Sequence, residues 1–333
     1  MNRITGTWAL GAAVVAATCA GAASQPEGPP LLRLVDTIVL KDVRGRIDHL
    51  AFDSVSQRLF VAALGNDTVE VLDTVGGKAL QSLSGFHEPQ GMAFVPEPRS
   101  IAVANGESGT LQLVDAETYE TRWVVAVGGD ADNVRYDATA KRIFVAAVGG
   151  LVAVDPASGR VGLRMPVSGH PESFQLAAKG ATVFANLPGN SAIVVGDRSS
   201  MTVTARWAVP CGANYPMALD TEAQRLFVGC RRPASVAIFD PSSGRSVGSV
   251  ATVGDTDDLF YDPERGRLYV IGGDGAVDVF VRQADMLRRA ARIPTREGAR
   301  TGLWVGSQSR LYVAVPARAG KPAEIRVFLA QQE

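Results

Sequence analysis

Asp48-His49-Leu50-Ala51-Phe52-Asp53 decides the fold, because its pattern of polar residues running into a short apolar strand returns six more times in a chain of 333 residues. The other copies are Gln90-Gly91-Met92-Ala93-Phe94, Asp132-Asn133-Val134-Arg135-Tyr136-Asp137, Glu172-Ser173-Phe174-Gln175-Leu176, Tyr215-Pro216-Met217-Ala218-Leu219-Asp220, Asp257-Asp258-Leu259-Phe260-Tyr261-Asp262 and Thr301-Gly302-Leu303-Trp304-Val305. Their spacing is about 42 residues, and a period of about 40–45 residues filled with short strands is the sequence signature of propeller blades.

Working outward from the first copy, residues 50–52 read as a strand, 53–57 as a turn, 58–63 as a second strand, 65–67 as a loop, 68–73 as a third strand, 76–77 as a turn and 80–84 as a fourth strand. Runs of Val, Ile, Leu and Phe bounded by Gly, Asn, Asp and Pro carry the strand and hairpin signals, and no long stretch has helical periodicity. The expected fold is an all-β, seven-bladed β-propeller with four antiparallel strands per blade. The last block holds only three strands, at 303–305, 310–315 and 324–329, and a strand at 34–40 is spaced ahead of Asp48 so as to supply the fourth. A blade built from both termini closes the ring and hides the sheet edges.

The stretch Leu59-Phe60-Val61-Ala62-Ala63-Leu64-Gly65-Asn66-Asp67-Thr68-Val69-Glu70-Val71-Leu72-Asp73 resembles the YVTN repeat, in which an apolar strand passes through Gly-Ser-Asn to a second strand ending in Asp. Looser copies stand at 101–115, 143–155, 226–240 and 268–278. Over residues 31–329 the chain is similar to the YncE-like, YVTN-type seven-bladed propellers of bacteria. That resemblance implies the fold. It leaves activity open, since the family's relatives include binding proteins as well as lactonase and haem d1 propellers.

A formal charge of −1 gives no overall attraction to nucleic acid or to an anionic membrane, so no nucleic-acid partner is expected. At the N-terminus Arg3, an apolar run over 8–17 and the small-residue exit Ala20-Gly21-Ala22-Ala23 fit a secretory signal peptide. The expected organisation is a signal peptide over 1–23, a Pro-rich linker over 24–30 and one propeller domain over 31–330. Such a chain is periplasmic or secreted and carries no transmembrane segment once processed. The competing reading, a lipoprotein anchored through Cys19, is disfavoured because Ala16-Ala17-Thr18 lacks the usual Leu and puts Thr beside the cleaved bond. Processing leaves Cys211, ahead of the inner strand of blade five, and Cys230, at the end of the next strand. A disulfide and two unpaired buried thiols are both open on that placement. No Cys-x-x-Cys-His occurs, so no covalently attached haem is expected.

Function is sought where the blades converge. Stacking the seven blocks gives a column of Asp48, Gln90, Asp132, Glu172, Tyr215, Asp257 and Thr301, then one of His49, Gly91, Asn133, Ser173, Pro216, Asp258 and Gly302, then apolar packing residues. All three histidines, His49, His87 and His170, fall in the loops leading into these strands. With Glu88, Asp130 and Asp255 the columns put an excess of carboxylate on one face, and convergent carboxylates repel unless a cation, a proton or a cationic ligand compensates them. The candidate metal ligands are Asp48, Asp132, Glu172, Asp257 and Asp258, and the candidate ligand-binding residues are His49, Gln90, Asn133, Tyr215 and Arg300. Carboxylates with Asn133 and Gln90 suit Ca²⁺, whereas His49 or His170 favours a transition-metal ion. The plain alternative is a water-filled channel mouth with turn-capping Asp residues. His87, beside Phe86 and Glu88, reads as a surface loop residue.

Other repeats read as architecture. Asp53 with Arg58, Asp137 with Arg142, Asp220 with Arg225 and Asp262 with Arg267 recur at one spacing and are expected to brace hairpins. The basic run Arg282, Arg288, Arg289, Arg292 and Arg296 reads as a solvated outer strand, with Arg300 as the member that approaches the mouth, where Arg135, Arg231 and Arg232 are candidates too. Two functional classes follow. The first is an exported binding or scaffolding propeller with a small ligand or metal at its mouth and a protein partner on the loop face. The second is a metal-assisted hydrolase of lactone or ester type. No Gly-x-Ser-x-Gly elbow or phosphate-binding Gly-rich loop points to nucleophilic or nucleotide chemistry.

Overall fold

A computed structural model describes Met1 and residues 30–332. Apart from Met1, the expected signal peptide lies outside the described residues, as does all but the last residue of the linker.

Alternating apolar and polar residues between tight turns produce seven four-stranded antiparallel sheets, six of them running in chain order from the inside outward. Blade one is Leu50–Asp53, Arg58–Ala63, Thr68–Asp73 and Lys78–Leu83. Its second strand is buried almost throughout, whereas the outer strand is exposed over most of its length. The chain crosses from second to third strand through a short 3₁₀ turn at Leu64–Asn66, which ends on Asp67 in the left-handed region, φ 57°. Blade seven joins the two ends of the chain: Gly302–Val305, Arg310–Val315 and Ala323–Ala330 are completed by Leu32–Leu40, which pairs antiparallel with Ala323–Ala330.

The core is not a single mass but seven apolar layers, one between each pair of neighbouring blades. The layer joining blades seven and one, with Ile38, Leu59, Val61, Tyr312 and Ile325, closes the circle. An open stack would have one layer fewer. Each buried Leu, Ile, Val or Phe in these layers contributes about 1.5–3 kcal/mol.

Polar links also cross between blades. Asp53 accepts the Val55 N–H (2.8 Å) and Ser56 hydroxyl (2.6 Å) of its own turn, but its charge partner is Arg99 of blade two at 2.7 Å. Asp137 likewise pairs with Arg198 of blade four at 2.6 Å. Arg58 instead reaches the Tyr119 hydroxyl at 2.7 Å. These two carboxylates therefore tie neighbouring blades rather than only their own hairpins. In the basic run, Arg292 is bound to the buried Asp278 (2.6 and 2.7 Å) and Arg296 to Glu324 of blade seven (3.2 Å).

Register corrects one alignment. The Ala62 N–H donates to the His49 carbonyl, Ala146 to Asn133, Asn186 to Ser173, and Ala314 to Thr301. Thr301 therefore stands with His49, and Arg300, not Thr301, stands with Asp48. The inner strand of blade seven ends on Val305 paired with Arg310, where blade one has Asp53 paired with Arg58. Without that Asp, the sequence pattern could slide by one residue.

Candidate functional site at the channel mouth

In the corrected register the seven inner strands bring Asp48, Gln90, Asp132, Glu172, Tyr215, Asp257 and Arg300 around one cavity of about 330 Å³. His49, Asn133, His170, Arg46 and Arg231 also line it. Of the ten site residues expected from sequence, only Asp258 lies off this wall; it sits against His49, on the neighbouring cavity. His87 is exposed, 3.9 Å from Glu107, and does not line the cavity.

Repeat residues hold this ring in place. Asn66 accepts the Arg44 N–H (2.8 Å) and donates to the Asp42 carbonyl (2.8 Å), fixing the loop that leads to Asp48. Asn105 accepts the His87 N–H (3.1 Å) ahead of Gln90. Asn186, fully buried, donates to the carbonyls of Tyr215 (2.9 Å) and Pro216 (3.1 Å). Gly91 is required where blade two meets blade three, because a Cβ there would fall on the Asp132 carbonyl oxygen.

His49 organises the floor. Its Nδ1 is 3.2 Å from Asp258, and its Nε2 is 3.7 Å from Asp48 and 3.9 Å from Asp132. Burial opposes charge on the ring, but Asp258, Asp48 and Asp132 outweigh it and hold the imidazole well above its ordinary pKa. A protonated ring donates from both nitrogens, so Nε2–H faces the carboxylates while Asp258 takes Nδ1–H and also accepts the Gly302 N–H at 2.9 Å.

Beside it two buried carboxyls, Asp132 and Glu172, act on each other in opposite senses. Burial and the charge of Glu172 push Asp132 well up, whereas Glu172, itself buried, is drawn down by hydrogen bonds from His170 and Asp132. His170 lies 3.3 Å from Glu172, and despite burial its pKa is raised by that contact. One oxygen of Asp132, Oδ1, is buried with no hydrogen-bond partner.

The opposite wall is a guanidinium–carboxylate cluster. Arg231 stacks on Tyr215 at 3.8 Å and bonds Asp257 at 2.6 Å, and Arg300 bonds Asp255 at 3.0 Å and lies 3.3 Å from Asp257. Burial nevertheless carries Asp257 up to about 7 against the pull of Arg231, with Asp48 adding to the rise. Arg231 arrives because the second strand of blade five, Arg225–Arg232, is two residues longer than Arg58–Ala63 of blade one. Its neighbour Cys230 is disulfide-bonded to Cys211, which pins that strand end. The length change carries no periodic signal, so Arg231 was legible only as a residue near the mouth, and Arg46, 2.9 Å from Asp48, not at all.

Much of the carboxylate charge is thus met by the chain's own Arg46, Arg231, Arg300, His49 and His170. Among the described residues no group of three or more His, Cys, Asp or Glu side chains stands at metal-holding geometry. No helix among them is long and apolar enough to cross a membrane.

No family model matches the chain, and no curated protein matches it. A chain from the crystal structure of a mitotic checkpoint complex superposes with a TM-score of 0.76 at 14% identity, over 98% of this chain and 99% of that one. A chain of Kuenenia stuttgartiensis hydrazine synthase superposes with a TM-score of 0.73 at 16% identity, over 83% of this chain and 94% of that one. At these identities the likeness shows that the chain is a β-propeller and nothing finer.

Proposed function

We propose that this chain is an exported propeller of the YVTN type that works as a binding or scaffolding protein, holding a small polar ligand or cation at its channel mouth. One observation carries the reading: Asp48, Gln90, Asp132, Glu172, Tyr215, Asp257 and Arg300, one from each of the seven blades, converge on a single polar cavity of about 330 Å³. Carboxyl groups gathered out of bulk water call for donors, and an ammonium, hydroxyl or metal ion entering the cavity supplies them. Asp48, Asp132, Glu172 and Asp257 provide the carboxyl groups at the mouth, with Asp258 behind them on His49, while His49, Gln90, Asn133, Tyr215 and Arg300 set orientation. The arginines already present favour a polar organic ligand carrying an ammonium group over a bare divalent ion. The Cys211–Cys230 disulfide supports export to an oxidising compartment. The likeness to a chain in a checkpoint complex supports a loop face that meets a protein partner.

Native mass spectrometry of the protein purified from its export compartment without chelator tests the reading. An occupant at one per chain, absent from Asp132→Asn, supports it; identical adducts on both proteins oppose it. A second reading, the metal-assisted hydrolase, is favoured by one feature. Asp257, at about 7, has the pKa of a general acid or base working near neutrality. Loss of lactone or ester turnover in Asp257→Asn is its test.

A further inference from the structure

Beyond the His49 layer the channel changes character. Its other half is a cavity of about 550 Å³ walled by Phe52, Phe94, Tyr136, Leu219, Phe260 and Trp304, and it meets the mouth cavity at His49 and Ser173. That size lies within the range of small-molecule sites, about 300–1,000 Å³. One unpaired charge stands in it. Arg135, from the inner strand Val134–Asp137, lies over the Phe174 ring at 5.5 Å and donates to the Val134 carbonyl at 2.9 Å. A guanidinium has five N–H donors, so most of its capacity is unused.

No carboxylate among the described residues forms an ion pair with Arg135. Asp258 and Asp132 act on it only through space. Asp258 is committed to His49 at 3.2 Å and to the Gly302 N–H at 2.9 Å. Asp132 lines the mouth cavity and not this one. That leaves the guanidinium without a carboxylate in contact, inside an aromatic chamber. Burial depresses the pKa of Arg135, as expected of a cation kept from water without a counter-charge.

We propose that this half of the channel binds a small monocarboxylate with an apolar body, its carboxylate paired with Arg135 and its hydrocarbon part lodged among Phe52, Phe94, Tyr136, Phe260 and Trp304. A guanidinium fork matches a carboxylate in bidentate geometry. One cation neutralises one negative charge, whereas a phosphate dianion would leave charge stranded among aromatic rings. The hydrocarbon gains by leaving water at about 25 cal/mol per Å². The proposal stands on residues other than the mouth ring and does not depend on the function proposed for that ring.

Octanoate, 1-octanol and octylamine are the probes, titrated into the mature chain and followed by calorimetry and by tryptophan emission. Octanoate should bind one per chain, at least about tenfold tighter than 1-octanol, since hydrogen bonds to charged groups contribute about 1.5–3 kcal/mol, and octylamine should bind worst. Arg135→Met keeps the bulk and removes the charge. It should weaken octanoate by about tenfold or more and leave 1-octanol unchanged. Trp304→Phe should abolish the emission change while the heat of binding persists. Equal affinities for octanoate and 1-octanol, undiminished octanoate binding by Arg135→Met, or no heat up to about 10 mM octanoate would each overturn the proposal. The wild-type comparison needs no variant, so a misfolded Arg135→Met would not shelter it.

Discussion

At His49 one imidazole faces three carboxylates, and removing it would leave buried Asp258 without its cation while Asp48 keeps only Arg46. Breaking a buried charge network by deleting one partner costs about 3–5 kcal/mol. His49→Gln should lower stability by that amount in chemical denaturation, and a change below about 1 kcal/mol would place the charge elsewhere. Asp257 makes a sharper prediction. Its folded pKa of about 7 lies above the ordinary 3.8, so the native state holds that proton more tightly than the unfolded chain does. The stabilisation is complete below the ordinary value and is lost as pH rises through about 7. His49, also raised, acts in the same sense, its share fully present below about 6.5 and lost as pH rises through its raised folded value. Asp53, lowered, runs the other way and is lost only in acid. The melting temperature should therefore decline from mild acid towards alkaline pH, with a shallower slope in Asp257→Asn. A ¹³C titration of the Asp257 carboxyl with a midpoint near 4 would refute the assignment.

At the level of strands and loops, the disulfide fixes the end of Arg225–Arg232, and with it Arg231 against Tyr215 and Asp257. The bond closes a loop of sequence separation 19, and losing a constraint of that length costs about 3 kcal/mol. Cys211→Ser with Cys230→Ser should lower stability by that amount and free Arg231; unchanged melting under reducing agent would contradict this. Strand positions were legible because Leu59-Phe60-Val61-Ala62-Ala63 between Asp53 and Asn66 leaves little choice, and Arg58–Ala63 and Thr68–Asp73 form as expected. The fourth strand of that blade begins two residues earlier than expected, at Lys78, because backbone pairing with Asp73 continues after the apolar pattern has stopped. The place of Arg300 in the ring was hidden for a related reason: Val305 replaces the Asp that marks the strand end in blade one. The inter-blade reach of Asp53 to Arg99 was equally invisible, since spacing along one hairpin says nothing of the neighbouring sheet.

For the molecule as a whole, closure by Leu32–Leu40 buries Leu32, Ile38 and Leu40 and pairs the exposed edge of Ala323–Ala330. A chain beginning after Leu40 should lose about 5 kcal/mol or more and aggregate through that edge. Unaltered cooperative melting would show that the ring does not need its N-terminal strand. The polar face was legible as a column of residues, and the channel did gather them. Its charge balance was not, because Arg46 and Arg231 come from outside the repeating positions. The most direct test of a binding mouth is a melting screen of wild type and Asp132→Asn against divalent ions and small amines, at about pH 6 and about pH 8. At least one ligand should raise the wild-type melting temperature, more at the higher pH where Asp257 has released its proton, and do nothing for Asp132→Asn. Equal responses of the two proteins to every ligand would contradict the account.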